Sequence, residues 1–190
     1  MANRLIRCSW CGEDEGYQSY HDHEWGIPCR DDKKLFEFLL LESAQAGLSW
    51  LTILRKRDNY RRAFANFDVK VVAAFGEAEI ECLMNNRGIV RNQLKVKSAI
   101  TNARCYLDIQ AEMGSFSDYL WGFVNGKPIV NRWVSEGQIP VSTGLSDKLS
   151  QDMKARGFKF FGTTICYAYL QAMGVINDHV VDCFRHSADG

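Results

Sequence analysis

The chain has no apolar run approaching the roughly 18 residues needed to cross a bilayer, so no membrane span is expected. Its opening stretch, MANRLIRCSWCGEDEG, lacks the apolar core of a secretory signal, and the expected compartment is the cytoplasm, where thiols stay reduced. Net charge is missing too: 23 lysines and arginines balance 23 aspartates and glutamates. That balance argues mildly against a nucleic-acid partner, since domains that bind nucleic acid are often basic overall. The seven cysteines are odd in number and scattered, which speaks against a disulfide framework and for metal binding or core packing. No segment repeats at a fixed period, none is low in complexity, and none alternates in the manner of a strand. What remains is an ordinary globular composition, 46% hydrophobic and 24% charged over 190 residues, enough for one domain or two small helical lobes.

A zero sum can hide local sign. Arg55, Lys56, Arg57, Arg61 and Arg62 cluster, as do Arg87, Arg91, Lys95 and Lys97, and again Lys148, Lys154, Arg156 and Lys159. Each group reads either as a solvated helix face or as a patch facing phosphates.

Helical spacing dominates the chain. A helix is expected from Asp31 to Ala46, capped by Asp31 or Asp32, with Leu35, Phe36, Leu39 and Leu40 on one side. Gly47 breaks it, and a second helix starts near Ser49. Short helices follow at 69–75 and 77–84, separated by Gly76, then a long one from about Asn92 to Met113, ended by Gly114. Ser115 to Val124 forms another. The stretch from Asn125 to Gly144 holds two of the three prolines without apolar periodicity and reads as an irregular excursion. Ser146 then caps a helix ending near Gly157, and Thr163 or Thr164 opens a last one running to Gly174. The fold class is mostly or entirely α.

Metal-ligand chemistry is concentrated at the two ends. His179 and Cys183 are four apart, so a helical turn would bring them to one face. Cys8, Cys11, His21 and His23 lie near the other end. A structural zinc takes four nitrogen or sulfur ligands, and two from each end would supply them. Spacing leaves the N-terminal pair open between Cys8 with Cys11 and Cys8 with His21. A four-ligand site has no open position for activating water, so such an ion would clip the termini together, worth on the order of 4 kcal/mol by the loop-entropy argument for crosslinks.

A second set of residues suggests a ligand. Glu42 falls inside an otherwise apolar helix face, where a carboxylate must be paired or serve a bound group. Trp10, Tyr17, Tyr20, Trp25 and Trp50 could box a flat cationic ring, since aromatic faces attract cations, although Trp25 reads better as core.

The segments YHDHEWG (Tyr20 to Gly26), LESAQAGLSWLTIL (Leu41 to Leu54) and KFFGTTICYAYLQAMGVINDHVVDC (Lys159 to Cys183) resemble the signatures of the bacterial type I 3-methyladenine DNA glycosylases. The resemblance runs from Cys8 to Cys183 with its motifs in order. It implies an all-helical fold of the helix-hairpin-helix glycosylase superfamily and one structural zinc on Cys8, His21, His179 and Cys183, leaving Cys11 outside. It implies a pocket formed by Trp10, Tyr17, Tyr20, Glu42 and Trp50, into which the damaged base is flipped. Glu42 is then the candidate catalytic group, through its charge; the aspartate usual in the superfamily is absent from this family.

The hairpin is expected at Leu83 to Lys97, with the turn NNRGIV (Asn85 to Val90) offering backbone N–H groups to a phosphate. That turn carries a single glycine, Gly88, in place of the usual pair. Arg91 and Lys95 beside it are the expected phosphate contacts, and Leu48 is the expected wedge. The implied partners are alkylated double-stranded DNA and free 3-methyladenine as product, acting on a monomer. The expected organisation is a single unit over 1–190, with a hairpin lobe at about 35–145 and a zinc-clipped lobe from 1–34 and 146–190. A helix-hairpin-helix DNA-binding module without catalysis, or a zinc-stabilised interaction domain, are the competing classes; a carboxylate among aromatic rings favours the enzyme.

Overall fold

The computed structural model describes residues 5–186. Among these, the helices are α1 (Glu15–His23), α2 (Asp32–Gln45), α3 (Trp50–Ala63), α4 (Val69–Ala73), α5 (Glu77–Asn85), α6 (Gln93–Met113), α7 (Phe116–Gly122), α8 (Gly144–Ala155) and α9 (Thr163–Ala172). Their starts follow from short polar side chains. Asp31, Ser49, Asn92 and Ser115 each accept a hydrogen bond from the backbone N–H three residues on, satisfying a donor the helix cannot. Gly76 has no side chain to cap α5, and the Glu79 carboxylate takes its N–H instead, at 2.7 Å.

Helix α2 is the centre of the molecule. Every residue from Leu35 to Ala44 is buried, and the helix packs against α3, α6, α7 and α9. The sequence pattern suggested one apolar side; the structure covers all sides, so Glu37, Glu42 and Ser43 must find partners or face a cavity. Glu37 accepts from Arg57 Nε at 2.7 Å and from Arg61 at 3.1 Å, while the same Arg57 grips both oxygens of Glu24 at 2.7 and 2.9 Å. Ser43 returns its hydroxyl to the Leu39 carbonyl.

Three expectations need correction. Helix α1 was not foreseen. Helix α8 begins at Gly144, because Thr143 and not Ser146 is its cap; Thr143 accepts from Ser146 N. A parallel strand pair, β1 (Ile129–Val130) with β2 (Ile176–Asn177), pins the irregular excursion to the C-terminal segment. Just beyond, the fully buried Asp178 accepts from Asn131 Nδ2 and Trp133 Nε1, both at 2.7 Å, and from the Tyr167 hydroxyl and Gln171 Nε2. Gly174 closes α9 at φ +63°, where a Cβ would lie 2.2 Å from the Ile27 carbonyl carbon, so only glycine fits this crossing.

Asp32 carries a testable load in this frame. Its carboxylate accepts from Phe116 N (2.9 Å), Ser117 N (2.8 Å) and Gln110 Nε2 (2.6 Å), joining the start of α2 to the start of α7. Asp32→Ala is expected to cost about 1–3 kcal/mol in urea unfolding, the range for lost caps and charged hydrogen bonds. An unchanged midpoint would mean that water replaces the carboxylate without loss.

Candidate active site and metal centre

Helix α1 serves two sites at once. Asp14 caps it by accepting from Tyr17 N, and the next turn presents Tyr17 and Tyr20 to a cavity and His21 to a cluster of cysteines and histidine. The cavity measures about 330 Å³. All five expected residues line it: Trp10, Tyr17, Tyr20, Glu42 and Trp50. Trp10, on a short 3-10 turn, lies with its ring centroid 5.0 Å from those of both Tyr17 and Trp25. Tyr20 reaches Trp50 at 5.4 Å and stacks along Phe38 at 6.1 Å. Trp25, read as core, is buried and lines the cavity as well.

Two polar atoms in this wall are buried without a hydrogen-bond partner: Glu42 Oε2, an acceptor, and Trp50 Nε1, a donor. Buried orphans of this kind are costly in a folded protein and rare outside binding sites. Burial, with no cation alongside, pushes the Glu42 carboxyl up to about 8. The cavity is therefore largely aromatic, with one buried carboxyl group that nothing else among the described residues satisfies.

Sequence reasoning missed much of the remaining wall. Glu136 and Ile139 come from the irregular excursion, Ala168 and Gln171 from α9, and Gln45 from the end of α2. Glu136 fastens the excursion to the N-terminal turn, accepting from Ser9 N, from Ser9 Oγ at 2.8 Å and from Trp10 N at 3.4 Å. Glu136 and Ile139 are commonplace residue types brought in from more than a hundred positions away from the N-terminal turn, and no local signal marks them; Gln45, Ala168 and Gln171 lie within the segments 41–54 and 159–183 but carry no chemistry that singles them out there.

The cluster consists of Cys8, His21, His179 and Cys183, all buried, with one ligand atom from each inside 4.8 Å of every other. Cys8 Sγ lies 3.5 Å from His179 Nδ1, and Cys183 Sγ lies 3.5 Å from His21 Nε2 and 3.4 Å from His179 Nδ1. A tetrahedral ion bound by thiolate and imidazole would separate its ligands by roughly 3.4–3.8 Å, so the donor set fits a metal ion. The outer nitrogens are committed elsewhere: His21 Nδ1 to Asp22 Oδ1 at 2.8 Å, and His179 Nε2 to the Trp25 carbonyl at 3.1 Å. These bonds orient both rings with a nitrogen toward the cluster. Contacts with the other thiol and with both imidazoles favour the charged form of Cys183 and hold its thiol below the usual range.

The structure leaves Cys11 outside, its thiol donating to the Cys8 carbonyl, and His23 exposed beside Ser19. His179 and Cys183 do not share a helical turn as expected. They follow strand β2 through a tight turn, in which Cys183 N donates to the Val180 carbonyl.

At the expected hairpin, α5 and α6 are joined by residues 86–92. Two N–H groups expected to face a phosphate are already engaged: Gly88 N donates to Asn86 Oδ1 at 2.8 Å and Val90 N to the Tyr60 hydroxyl at 3.1 Å. Gly88 is required by packing, since a Cβ there would lie 2.8 Å from Asn59 Cγ. Arg91 is exposed, without an ion pair among the described residues. Lys95 turns inward, giving its ammonium to the carbonyls of Ala44 (2.9 Å) and Ala46 (2.6 Å) instead of to solvent. Leu48 stands exposed in the turn between α2 and α3.

A mostly helical frame thus encloses an aromatic cavity with one unpartnered carboxyl group, beside a cluster of two cysteines and two histidines that could hold a metal ion. Residues 10–186 match the model of the methyladenine glycosylase family, to which the chain belongs. It is 50% identical over 179 residues to DNA-3-methyladenine glycosylase 1 of Escherichia coli (strain K12), covering 94% of this chain and 96% of that one. The fold superposes with a TM-score of 0.93 on a crystal structure of 3-methyladenine DNA glycosylase I, at 48% identity over 95% of this chain and 100% of the other. The Staphylococcus aureus 3-methyladenine DNA glycosylase I, solved for the structural basis of 3-methyladenine recognition, matches with a TM-score of 0.91 at 39% identity, over 94% and 95% of the two chains.

Proposed function

We propose that this chain is a base-excision repair glycosylase that flips 3-methyladenine out of alkylated double-stranded DNA and hydrolyses its N-glycosidic bond. The observation that carries this reading is the orphaned Glu42 carboxylate facing a ring-sized aromatic cavity. Methylation at N3 leaves the purine positively charged, so the bond from C1′ to the base breaks with its electron pair passing to a ring nitrogen that becomes neutral. Water adds at C1′ and releases a proton. Because the leaving group is already activated, the protein's task is to select and hold it. Tyr17, Tyr20, Trp10 and Trp50 stack on or enclose the ring, and Trp50 Nε1 and Glu42 Oε2 supply the donor and acceptor that the ring's edge completes. Glu42 acts by charge, favouring the cationic base and the electron-poor sugar that forms as the bond lengthens. A DNA-binding module without chemistry has no use for such a carboxylate.

Cys8, His21, His179 and Cys183 would hold one zinc ion, with all four positions filled by protein, so that its contribution is to tie the chain's ends together. Residues 77–113 would act as the helix-hairpin-helix element, with Arg91 reaching a phosphate and Leu48 filling the gap left by the flipped base. The chain would work as a single cytoplasmic monomeric unit, its hairpin lobe at about 35–145 and its metal-clipped lobe formed by 1–34 and 146–190. No helix among the described residues is long and apolar enough to cross a membrane.

The test is release of free 3-methyladenine from methylated duplex DNA by the purified chain, with chromatographic detection of the base. Binding to undamaged duplex is expected to be weak and salt-dependent, since the chain's charges sum to zero and many of its arginines are paired within the fold. The slope of log affinity against log salt should be shallow, about −2 to −4, and Arg91→Ala should reduce it by about 1. A slope near zero would remove phosphate contacts from the account.

A further inference from the structure

Lys95 belongs to the first turn of α6, yet its ammonium bonds the far end of α2. It donates to the Ala44 and Ala46 carbonyls at 2.9 and 2.6 Å, and no carboxylate lies within ion-pair distance of it among the described residues. Helix α2 has no basic residue in its own last turn, so its final carbonyls, the negative end of the helix dipole, depend on this side chain from elsewhere. The segment so held carries the site. Glu42 lies just before it in the cavity wall, Gln45 between the two bonded carbonyls, and Trp50 just after. Between them Gly47 turns the chain at φ +80°, Leu48 stands 41% exposed, and Ser49 caps α3. Two carbonyls two residues apart hold the ammonium at two points. Burial lowers the Lys95 pKa from its ordinary value.

We propose that Lys95 is a positioning residue for base extrusion: bonded to the Ala44 and Ala46 carbonyls, it locks the turn bearing Leu48 to the hairpin helix that meets the duplex. The proposal rests on the reading of this chain as a glycosylase with Leu48 as its wedge. Its consequence is selective. Opening a duplex needs the wedge held in register with the hairpin, whereas capturing a base that is already free, or one in a single strand, needs only the pocket.

The experiment compares wild type, Lys95→Met, Lys95→Arg and Leu48→Ala on three readouts: single-turnover excision from methylated duplex, the same from methylated single-stranded DNA, and calorimetric affinity for free 3-methyladenine. Lys95→Met is expected to slow duplex excision by about ten- to a hundredfold, the scale of lost hydrogen bonds from a charged donor, while single-strand excision and free-base affinity stay within about threefold. Lys95→Arg should recover part of the duplex rate, and Lys95→Met combined with Leu48→Ala should be little worse than either alone, because both act on one element. Equal losses on duplex and single strand would overturn the proposal in favour of a purely structural role. A loss accompanied by a salt slope reduced by about 1 would overturn it in favour of a direct phosphate contact. If Lys95→Met does not fold, duplex excision by Lys95→Arg and Leu48→Ala that equals wild type overturns it as well. Failure of the wild type to bind the base or excise it at all would instead sink the underlying reading.

Discussion

Glu42→Gln is expected to slow excision of 3-methyladenine from methylated duplex by roughly 10- to 100-fold and to weaken free-base binding, with no loss of thermal stability at neutral pH. Glutamine keeps the size and an acceptor oxygen but removes the charge, and adenine and its 3-methyl cation differ too little in shape for size alone to separate them, one methyl being worth about 1–3 kcal/mol. The pH dependence carries the sharper signature. Free of ligand, Glu42 holds its proton up to about 8. The rate at limiting substrate reports the free protein, so in the wild type it should rise as pH climbs toward about 8 and then level, while Glu42→Gln should be flat over that range. A bound cation favours the ionised carboxylate, so the same rise at saturating substrate should sit at lower pH.

Stability moves the other way. An unfolded Glu42 would ionise near its ordinary 4.5, whereas the folded one keeps its proton to about 8. Below that window both states are protonated and the burial is harmless; as pH rises through it, only the unfolded state sheds the proton, and folding stability falls by an amount on the order of a few kcal/mol. Above the window both are ionised and the loss is constant. The melting temperature of Glu42→Gln relative to wild type should therefore improve from pH 5 to pH 8. A variant that excises as fast as wild type, with the same pH profile, would leave shape and leaving-group lability as the only sources of selection.

Loss of the metal is the other large effect expected. Cys183→Ser should drop bound zinc from one ion per chain to a small fraction and lower stability by about 4 kcal/mol, because the ion closes a loop of nearly the whole chain. Chelation of the wild type should give a similar drop in melting temperature, and Cys11→Ser, whose thiol only donates to the Cys8 carbonyl, should keep its zinc. Base affinity should fall in Cys183→Ser as well, since His21 shares α1 with Tyr17 and Tyr20. Full zinc content with unchanged melting in Cys183→Ser would refute the ligand set.

The helices were legible because their causes are local. Asp31, Ser49, Asn92 and Ser115 announce helix starts within a turn of themselves, and Gly114 announces a stop at φ +89°. The exceptions have nonlocal causes. Helix α1 has no simple apolar stripe in the sequence because Tyr17 and Tyr20 face the cavity and His21 faces the cysteine and histidine cluster. The strand pair joins residues 47 positions apart in register, which no window on the chain can contain.

The helical class, the aromatic and carboxylate members of the pocket and the sulfur and nitrogen donors at the two ends are legible in the chain alone, because these residue types are conspicuous wherever they occur. Spacing left the N-terminal donor pair open, and the fold shows how Cys8 and His21 come beside His179 and Cys183, which meet without a helix. The fold alone brought Glu136 and Gln171 to the cavity and turned Lys95 from the solvent to the Ala44 and Ala46 carbonyls. The physical reason is that the cost of burying charge and the reward of satisfying it depend on neighbours in space. Glu37 and Glu42 lie on one helix, five residues apart; one meets two arginines and the other an aromatic wall, and only the fold made that difference.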